Sequence, residues 1–264
     1  MIIGEKMLAQ IGKSVLDGFY NFLYGAGFFL QALRSSISFL RERKIGSRVL
    51  TMQILFTGVE ALAVIALISV SLGVVIIIQG ISILPQFGQG ELIYTILITV
   101  ITRELGPILC AFIVIARSAT AIATELGQMV VSHQIEAYVA TGVNPIRYLV
   151  APRFIGVTLS VVFLNLYFNF FGLVGSFVLT QFFEPIPAAE YFNNLLMHLK
   201  TTDIVSSLVK SLVFGLIISF TATYNGLKVQ HSSTEVPQVV IKAVVQGFTL
   251  CIISDALITM IYYL

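Results

Sequence analysis

The chain has 264 residues, of which 57% are hydrophobic and 11% are charged. Soluble domains carry about 25% charged residues, so this composition and the mean hydropathy of +0.96 exclude a soluble protein and predict an all-α polytopic membrane protein. The formal net charge of +2 says little, because the distribution of charge matters more than its sum, and we expect no nucleic-acid partner.

Residues 1–50 are predicted to form an amphipathic segment that lies in the membrane interface. Apolar residues recur at helical spacing between Met7 and Leu23, and basic residues close the region. The apolar stretch from Phe19 to Leu33 is short for a span and ends without the small-residue cleavage site of a signal peptide.

A nucleotide-binding loop is not predicted in this segment. Gly12, Lys13 and Ser14 match the end of a phosphate-binding loop, but that motif requires glycine at position 7, where the chain has Met7. We therefore expect that the isolated chain neither binds nor hydrolyses ATP.

Five long apolar segments predict five transmembrane helices in the remaining domain, 51–264. Their approximate bounds are 52–80, 92–116, 154–183, 205–227 and 238–263. Twelve Lys and Arg residues fall on one side of the membrane, one falls on the other, and two lie within spans. The positive-inside rule then predicts a cytoplasmic amino terminus and a carboxyl terminus outside.

The second predicted span carries Arg103, Glu104 and Pro107 within an otherwise apolar run. A charge at that depth costs at least about 2.5–3.5 kcal/mol, so such residues usually face a cavity or a partner within the protein. Pro107 predicts a kink. Because adjacent helical residues point about 100° apart, we expect Arg103 and Glu104 not to satisfy each other.

The loop 117–153 is too long for a turn, and its segment 118–141 predicts a short cytoplasmic helix that ends near Gly142 and Pro145. Two interpretations stay open, a solvated connector and a docking helix for a cytoplasmic partner.

Lys210 and Asp255 are opposite charges in the last two predicted spans. Counting from the outer ends of these spans places them roughly 9 Å and roughly 13 Å below the outer surface. A buried ion pair is predicted, with snorkelling of Lys210 to the interface as the alternative.

Two asparagines, Asn165 and Asn169, share one face of the third predicted span and predict an interhelical hydrogen bond. Gly172 and Gly175 in the same span predict close helix approach. Glu60 in the first span has no partner that the sequence identifies. Cys110 and Cys251 lie in apolar runs and the three histidines are scattered, so no metal or cofactor site is predicted.

Seven segments of the chain resemble the MlaE/YrbE-type permeases, membrane subunits of ABC transporters that move lipids together with MCE-domain proteins. The segments occur in the family's order with similar spacing between about residue 50 and residue 264. They are Arg103 to Pro107, Ala116 to Ala119, Thr124 to Met129, Gly142 to Pro145, Ala151 to Arg153, Val209 to Phe214 and Tyr224 to Gly226.

The resemblance implies a five-span subunit that forms a homodimer, with phospholipid in a central cavity and a cytoplasmic coupling helix on an ABC ATPase subunit. An MCE-domain lipid-binding protein and a small STAS-type cytoplasmic subunit are further implied partners. The implied location is the bacterial inner membrane, with the carboxyl terminus in the periplasm.

The resemblance also implies roles for individual residues. Glu104 matches a position that faces the cavity, Ile76, Leu84 and Leu105 match apolar positions that line it, and Lys210 and Asp255 match a charged pair. Arg103 is assigned to the same lipid site. The residues assigned to ATPase coupling are Glu125, Gln128, His133 and Glu136. The family usually has Thr-Glu-Gln where this chain has Ser132, His133 and Gln134.

Two other functions are compatible with the residues alone. A proton-coupled secondary transporter could use Glu104 and Asp255 as proton carriers, although we find no internal repeat of the kind that many such transporters show. A membrane scaffold is the third possibility, and the intramembrane charges argue against it.

Overall fold

The structure, a computed structural model, describes residues 20, 23–39, 47–83, 92–182, 185, 187–230 and 232–263. The described residues form helices joined by short turns, with no strand among them. Five of these helices are long and apolar enough to cross a membrane, which confirms the predicted all-α class and the number of spans.

The five spans run through the chain in order. Their bounds are Arg48–Ile83, Leu92–Val131, Ile146–Thr180, Thr201–Gly226 and, as a helix, Val236–Tyr263. The first span is interrupted once, by a turn at Gly58 and a 3-10 segment at Val59–Ala61. Short π-helical segments occur at Ile98–Leu105, Ile115–Ala119, Ile146–Val150 and Phe171–Gly175.

The second span is longer than the sequence predicted, because its helix continues without a break to Val131. The continuation Thr120–Val131 buries Ile122, Ala123 and Leu126, and it packs on the last two spans. The helix stops at His133, whose φ of 56° is left-handed. A separate short helix, Gln134–Ala140, follows and has no buried residue. The predicted cytoplasmic helix is thus divided into a packed half and an exposed half.

The amino-terminal helix 23–39 lies within the predicted interfacial segment, most of which falls outside the described residues. Ala32 of this helix is fully buried and packs with Val150 and Phe154 of the third span. Phe29 meets Phe220 of the fourth span edge-on, with ring centroids 5.7 Å apart. The helix is therefore attached to the bundle by aromatic packing.

A helix at Ala188–His198, between the third and fourth spans, was not predicted. Tyr191 and Leu195 are buried on its inner face. The Tyr191 hydroxyl donates to the carbonyl of Leu173 at 2.9 Å, and burial raises the pKa of this tyrosine above its ordinary value. This helix covers the end of the third span.

Glycines set the closest approaches between spans, as predicted for Gly172 and Gly175. A Cβ at Gly172 would lie 2.7 Å from Ile101 of the second span, and a Cβ at Gly175 would lie 2.8 Å from Val70 of the first. The third and fourth spans touch at Gly215, where a Cβ would lie 2.6 Å from the Thr158 backbone. The predicted interhelical hydrogen bond of Asn165 is confirmed, with Ser207 Oγ of the fourth span as acceptor at 2.9 Å.

The contact at Gly215 gives a stability test. Gly215→Ala should lower the melting temperature of the purified protein by several degrees, because the added methyl meets backbone rather than a flexible side chain and overpacking costs about 1–3 kcal/mol. Gly247→Ala is the matched control, since its Cβ would find ordinary contacts at 3.4 Å. Equal melting temperatures for the two variants would contradict the close packing of the third and fourth spans.

Candidate functional site

The candidate site is built around Pro107 in the second span. Proline has no N–H, so Pro107 cannot donate to the carbonyl of Arg103 four residues earlier. The preceding residues, Ile98–Leu105, are π-helical, and the α-helix resumes at Gly106. Lys210 Nζ of the fourth span donates to the Arg103 carbonyl at 3.1 Å. The proline thus removes one backbone donor for the Arg103 carbonyl, and Lys210 of the fourth span donates to this carbonyl instead.

Lys210 is the centre of a cluster of four charged residues from three spans. Its Nζ lies 2.6 Å from Glu104 Oε2 and 2.9 Å from Asp255 Oδ1 of the fifth span. The lysine side chain is 0% exposed. The structure therefore brings Lys210 and Asp255 together and adds Glu104 as a second carboxylate on the same ammonium.

The expectation that Arg103 and Glu104 do not satisfy each other is wrong. Arg103 Nε lies 3.0 Å from Glu104 Oε1. The expectation assumed the 100° step of a regular α-helix, whereas these residues end a π-helical segment and arginine has a long side chain. With Arg103 included, two positive and two negative charges make the cluster formally neutral, which lowers the cost of its place in the membrane.

Exposure changes across this cluster. Lys210 is fully buried, whereas the Glu104 side chain is 31% exposed. Thr259 of the fifth span donates to Glu104 Oε2 at 3.4 Å. The fifth span also exposes apolar side chains in the single chain, with Ile252, Ile253, Leu257, Met260 and Ile261 exposed. Glu104 is therefore a carboxylate that stays partly accessible beside a fully buried ammonium.

The other residues assigned to lipid contact are described only in part. Leu105 follows Glu104 directly and is half-buried, and Ile76 of the first span is half-buried against the core. Leu84 lies outside the described residues.

A second group of charges lies where the first three spans end, on the side of the short helix Gln134–Ala140. Glu60 of the first span pairs with Arg117 of the second, so the structure supplies the partner that the sequence did not identify. Glu125 Oε2 lies 2.7 Å from Arg153 Nη2 of the third span, and Arg153 is 3% exposed. These pairs connect the second span to the first and third spans.

The residues assigned to ATPase coupling occupy this same end. Gln128 is exposed, and Glu125 is exposed despite its pairing with Arg153. His133 Nδ1 and Glu136 Oε2 lie 3.1 Å apart at the start of the short helix, with side chains 75% and 77% exposed. The four residues therefore present polar groups on one accessible end of the molecule.

The described residues combine five helices that are long and apolar enough to cross a membrane with a charged cluster inside the bundle and an exposed short helix beside its end. This arrangement is compatible with the membrane subunit of a transporter. The family described as "Permease MlaE" matches residues 50–261. The chain belongs to the MlaE family of ABC transporter permeases.

Relatives cover nearly the whole chain. A probable ABC transporter permease protein of Rickettsia conorii is 30% identical over 97% of this chain and 99% of its own length. The intermembrane phospholipid transport system permease protein MlaE of Haemophilus influenzae is 24% identical over 98% of each chain. The chloroplastic protein TRIGALACTOSYLDIACYLGLYCEROL 1 of Arabidopsis thaliana is 30% identical over 78% of this chain and 59% of its own length.

The charged cluster predicts a graded response to mutation. Lys210→Met should be the most severe single change, because it leaves two carboxylates without their shared cation, and breaking a buried pair costs about 3–5 kcal/mol. Asp255→Asn should be milder, since Lys210 keeps Glu104. The measurement is the yield and melting temperature of monodisperse protein, with Lys200→Met at an exposed position as the control.

The double variant Lys210→Met with Asp255→Asn should recover part of the stability lost in Lys210→Met, because Asp255 would otherwise lack its cation whereas Glu104 keeps Arg103. If Lys210→Met is as stable as Lys200→Met, the cluster does not hold the three spans together.

Proposed function

We propose that this chain is the membrane subunit of an ABC transporter that moves phospholipid between the bacterial inner membrane and an MCE-domain partner. Two copies form a homodimer that holds the lipid, and a separate ATPase subunit supplies the energy. The name of the Haemophilus relative, a phospholipid transport permease, supports the substrate. A small STAS-type cytoplasmic subunit is a further proposed partner.

The observation that carries this proposal is the position of Glu104. Its carboxylate is held by Lys210 at 2.6 Å and Arg103 at 3.0 Å, yet 31% of its side chain remains exposed. The residue that follows it, Leu105, is apolar and half-buried. A phospholipid has a charged head group and apolar chains, so a surface of this mixed character suits it. A second copy facing the first would enclose that surface, with Leu105 and Ile76 in its wall and Leu84 assigned to it from the sequence.

The proposed orientation puts the amino-terminal helix and the helix Gln134–Ala140 in the cytoplasm and the carboxyl terminus in the periplasm. The charge distribution supports it, because twelve basic residues lie on the first side and one lies on the second. The domain division follows, with 1–50 at the membrane interface and 51–264 as the permease domain.

Family membership favours the ABC transporter over the two alternatives. ABC permeases depend on ATP hydrolysed by a partner, so a proton-coupled secondary transporter that uses Glu104 and Asp255 is disfavoured. A passive scaffold would not need four charges in the membrane, where each is costly.

A photocrosslinking amino acid at position 104 or 105 should capture phospholipid in membranes. Leu105→Trp should reduce lipid transport by roughly tenfold or more, because overfilling a cavity costs about 1–3 kcal/mol, while partner binding persists. Leu166→Trp is the control, an exposed leucine of the third span. Capture of protein alone at position 104, together with normal transport by Leu105→Trp, would place the lipid elsewhere.

The coupling residues are tested by site-directed crosslinking. Cysteines at Gln128 and Glu136 should crosslink to the ATPase subunit, because both positions are exposed on the same end of the molecule as Gln134–Ala140. Ser233, exposed in the loop before the fifth span, is the matched control. Crosslinks that form from Ser233 alone would move the ATPase contact to that loop.

A further inference from the structure

A groove of about 1010 Å³ lies between the amino-terminal helix and the short exposed helix Gln134–Ala140. The amino-terminal helix forms one wall, with Tyr24 and Phe28 one helical turn apart on the face that lines it. The short helix and the turn that follows it form the other wall. In the proposed orientation this groove opens at the cytoplasmic end of the bundle.

Both walls of the groove are open to an incoming side chain. A Cβ at Gly27 on the first wall would meet no atom within 4 Å, and neither would a Cβ at Gly142 on the second. The apolar residues beside these glycines are exposed in the single chain, Tyr24 to 66% and Val139 to 61%. A partner can therefore approach the backbone at one glycine and apolar side chains at the other wall.

Contacts within the chain hold the two walls in place. Arg147, in the first turn of the third span, donates from Nη2 to Ser38 Oγ of the amino-terminal helix at 3.2 Å. Tyr138 of the short helix contacts Tyr148, with ring centroids 5.4 Å apart. Gly142 ends the short helix with a φ of 78°, a conformation that favours glycine. The groove therefore exists before any partner binds.

The short helix needs a partner that the single chain does not supply. It has seven residues and none of them is buried. Isolated helices shorter than about 12–15 residues are marginally stable, because most helical stability in proteins comes from the packing of an apolar face. Ile135 and Val139 both line the groove, so an occupant of the groove would cover that face.

The charge of the groove indicates the chemistry of its occupant. Glu136 is the only charged residue among the described residues that line it, and its side chain is 77% exposed. A carboxylate without a lining lysine or arginine disfavours the head group of an anionic phospholipid and complements a basic side chain. Apolar walls with one acidic residue suit an amphipathic helix, which places apolar side chains in a groove at helical spacing.

We propose that this groove receives an amphipathic helix of the ATPase subunit, with apolar side chains between Phe28 and Val139 and a basic side chain at Glu136. The inference rests on the proposed function, because it presumes an ATPase partner. It adds the amino-terminal helix to the coupling surface. The ATPase then acts on the second span through Gln134–Ala140 and on the third and fourth spans through the amino-terminal helix.

The occupant is identified with a photocrosslinking amino acid at position 24 or 139, in the full-length chain expressed with its ATPase subunit in membranes. Both positions should form adducts with one helix of the ATPase, which mass spectrometry of the crosslinked peptides would locate. Leu30 is the matched control, because it is 56% exposed on the amino-terminal helix but does not line the groove.

A second test fills the groove without changing its charge. Gly27→Trp should weaken the copurification of the ATPase by about tenfold or more, because the indole would occupy the space of the docked helix. Leu30→Trp introduces the same side chain on the same helix outside the groove, and it should copurify the ATPase as the wild type does.

A third test reverses the charge at the groove. Glu136→Lys should weaken ATPase binding severalfold, because it places a cation opposite the basic side chain of the docked helix, and the effect should shrink at high salt. Glu190→Lys is the control, a charge reversal at an exposed residue at the other end of the bundle.

The result at positions 24 and 139 decides between occupants. Adducts with residues 1–19 of the same chain, with a second copy or with phospholipid, and none with the ATPase, would overturn the inference. Undiminished ATPase copurification by Gly27→Trp would overturn it as well. The proposed function survives either result if a cysteine at Gln128 still crosslinks to the ATPase, whereas a wild-type chain that binds no ATPase would contradict the proposed function itself.

Discussion

The buried ammonium of Lys210 is the constraint that organises the bundle. A lysine with no exposed side-chain surface must recover the hydration that it loses, and here it does so through Glu104, Asp255 and the carbonyl of Arg103. These partners come from the second and fifth spans, while the lysine comes from the fourth. Their short distances fix the relative height and rotation of three helices, in a medium where helix packing alone gives less directional information.

Pro107 and the π-helical residues before it make that arrangement possible. In a regular helix the Arg103 carbonyl would be used by the amide four residues later, and proline removes that amide. The wider π turn accompanies an Arg103–Glu104 contact that a regular helix disfavours. Glu104 therefore serves two cations at once and still reaches the surface. Local irregularity in the second span creates the polar chemistry of the cluster.

Much of this structure was predictable because the membrane limits what a sequence can do. Five apolar runs require five helices, and a charge such as Asp255 requires a partner. The approach of Glu104 to Lys210 was not predictable, because 106 residues separate them and no local pattern relates their rotations. The extension of the second span to Val131 was also not predicted. Polar residues interrupt the apolar run in this segment, although Ile122 and Leu126 form a buried face. The helix Ala188–His198 did carry a signal, because Tyr191 and Leu195 are four residues apart.

The length of the second span has a mechanical consequence. Forty residues of continuous helix extend about 60 Å, roughly twice the thickness of the hydrocarbon core. Glu104 and Gln128 lie on this one helix, about 36 Å apart along its axis. The helix can act as a lever, with a fulcrum at the π-helical residues Ile115–Ala119, where Arg117 is paired with Glu60. A tilt of about 5° about this fulcrum would displace Glu104 and Gln128 relative to each other by about 3 Å. That displacement is comparable to the distances between the carboxylate of Glu104 and its two cations.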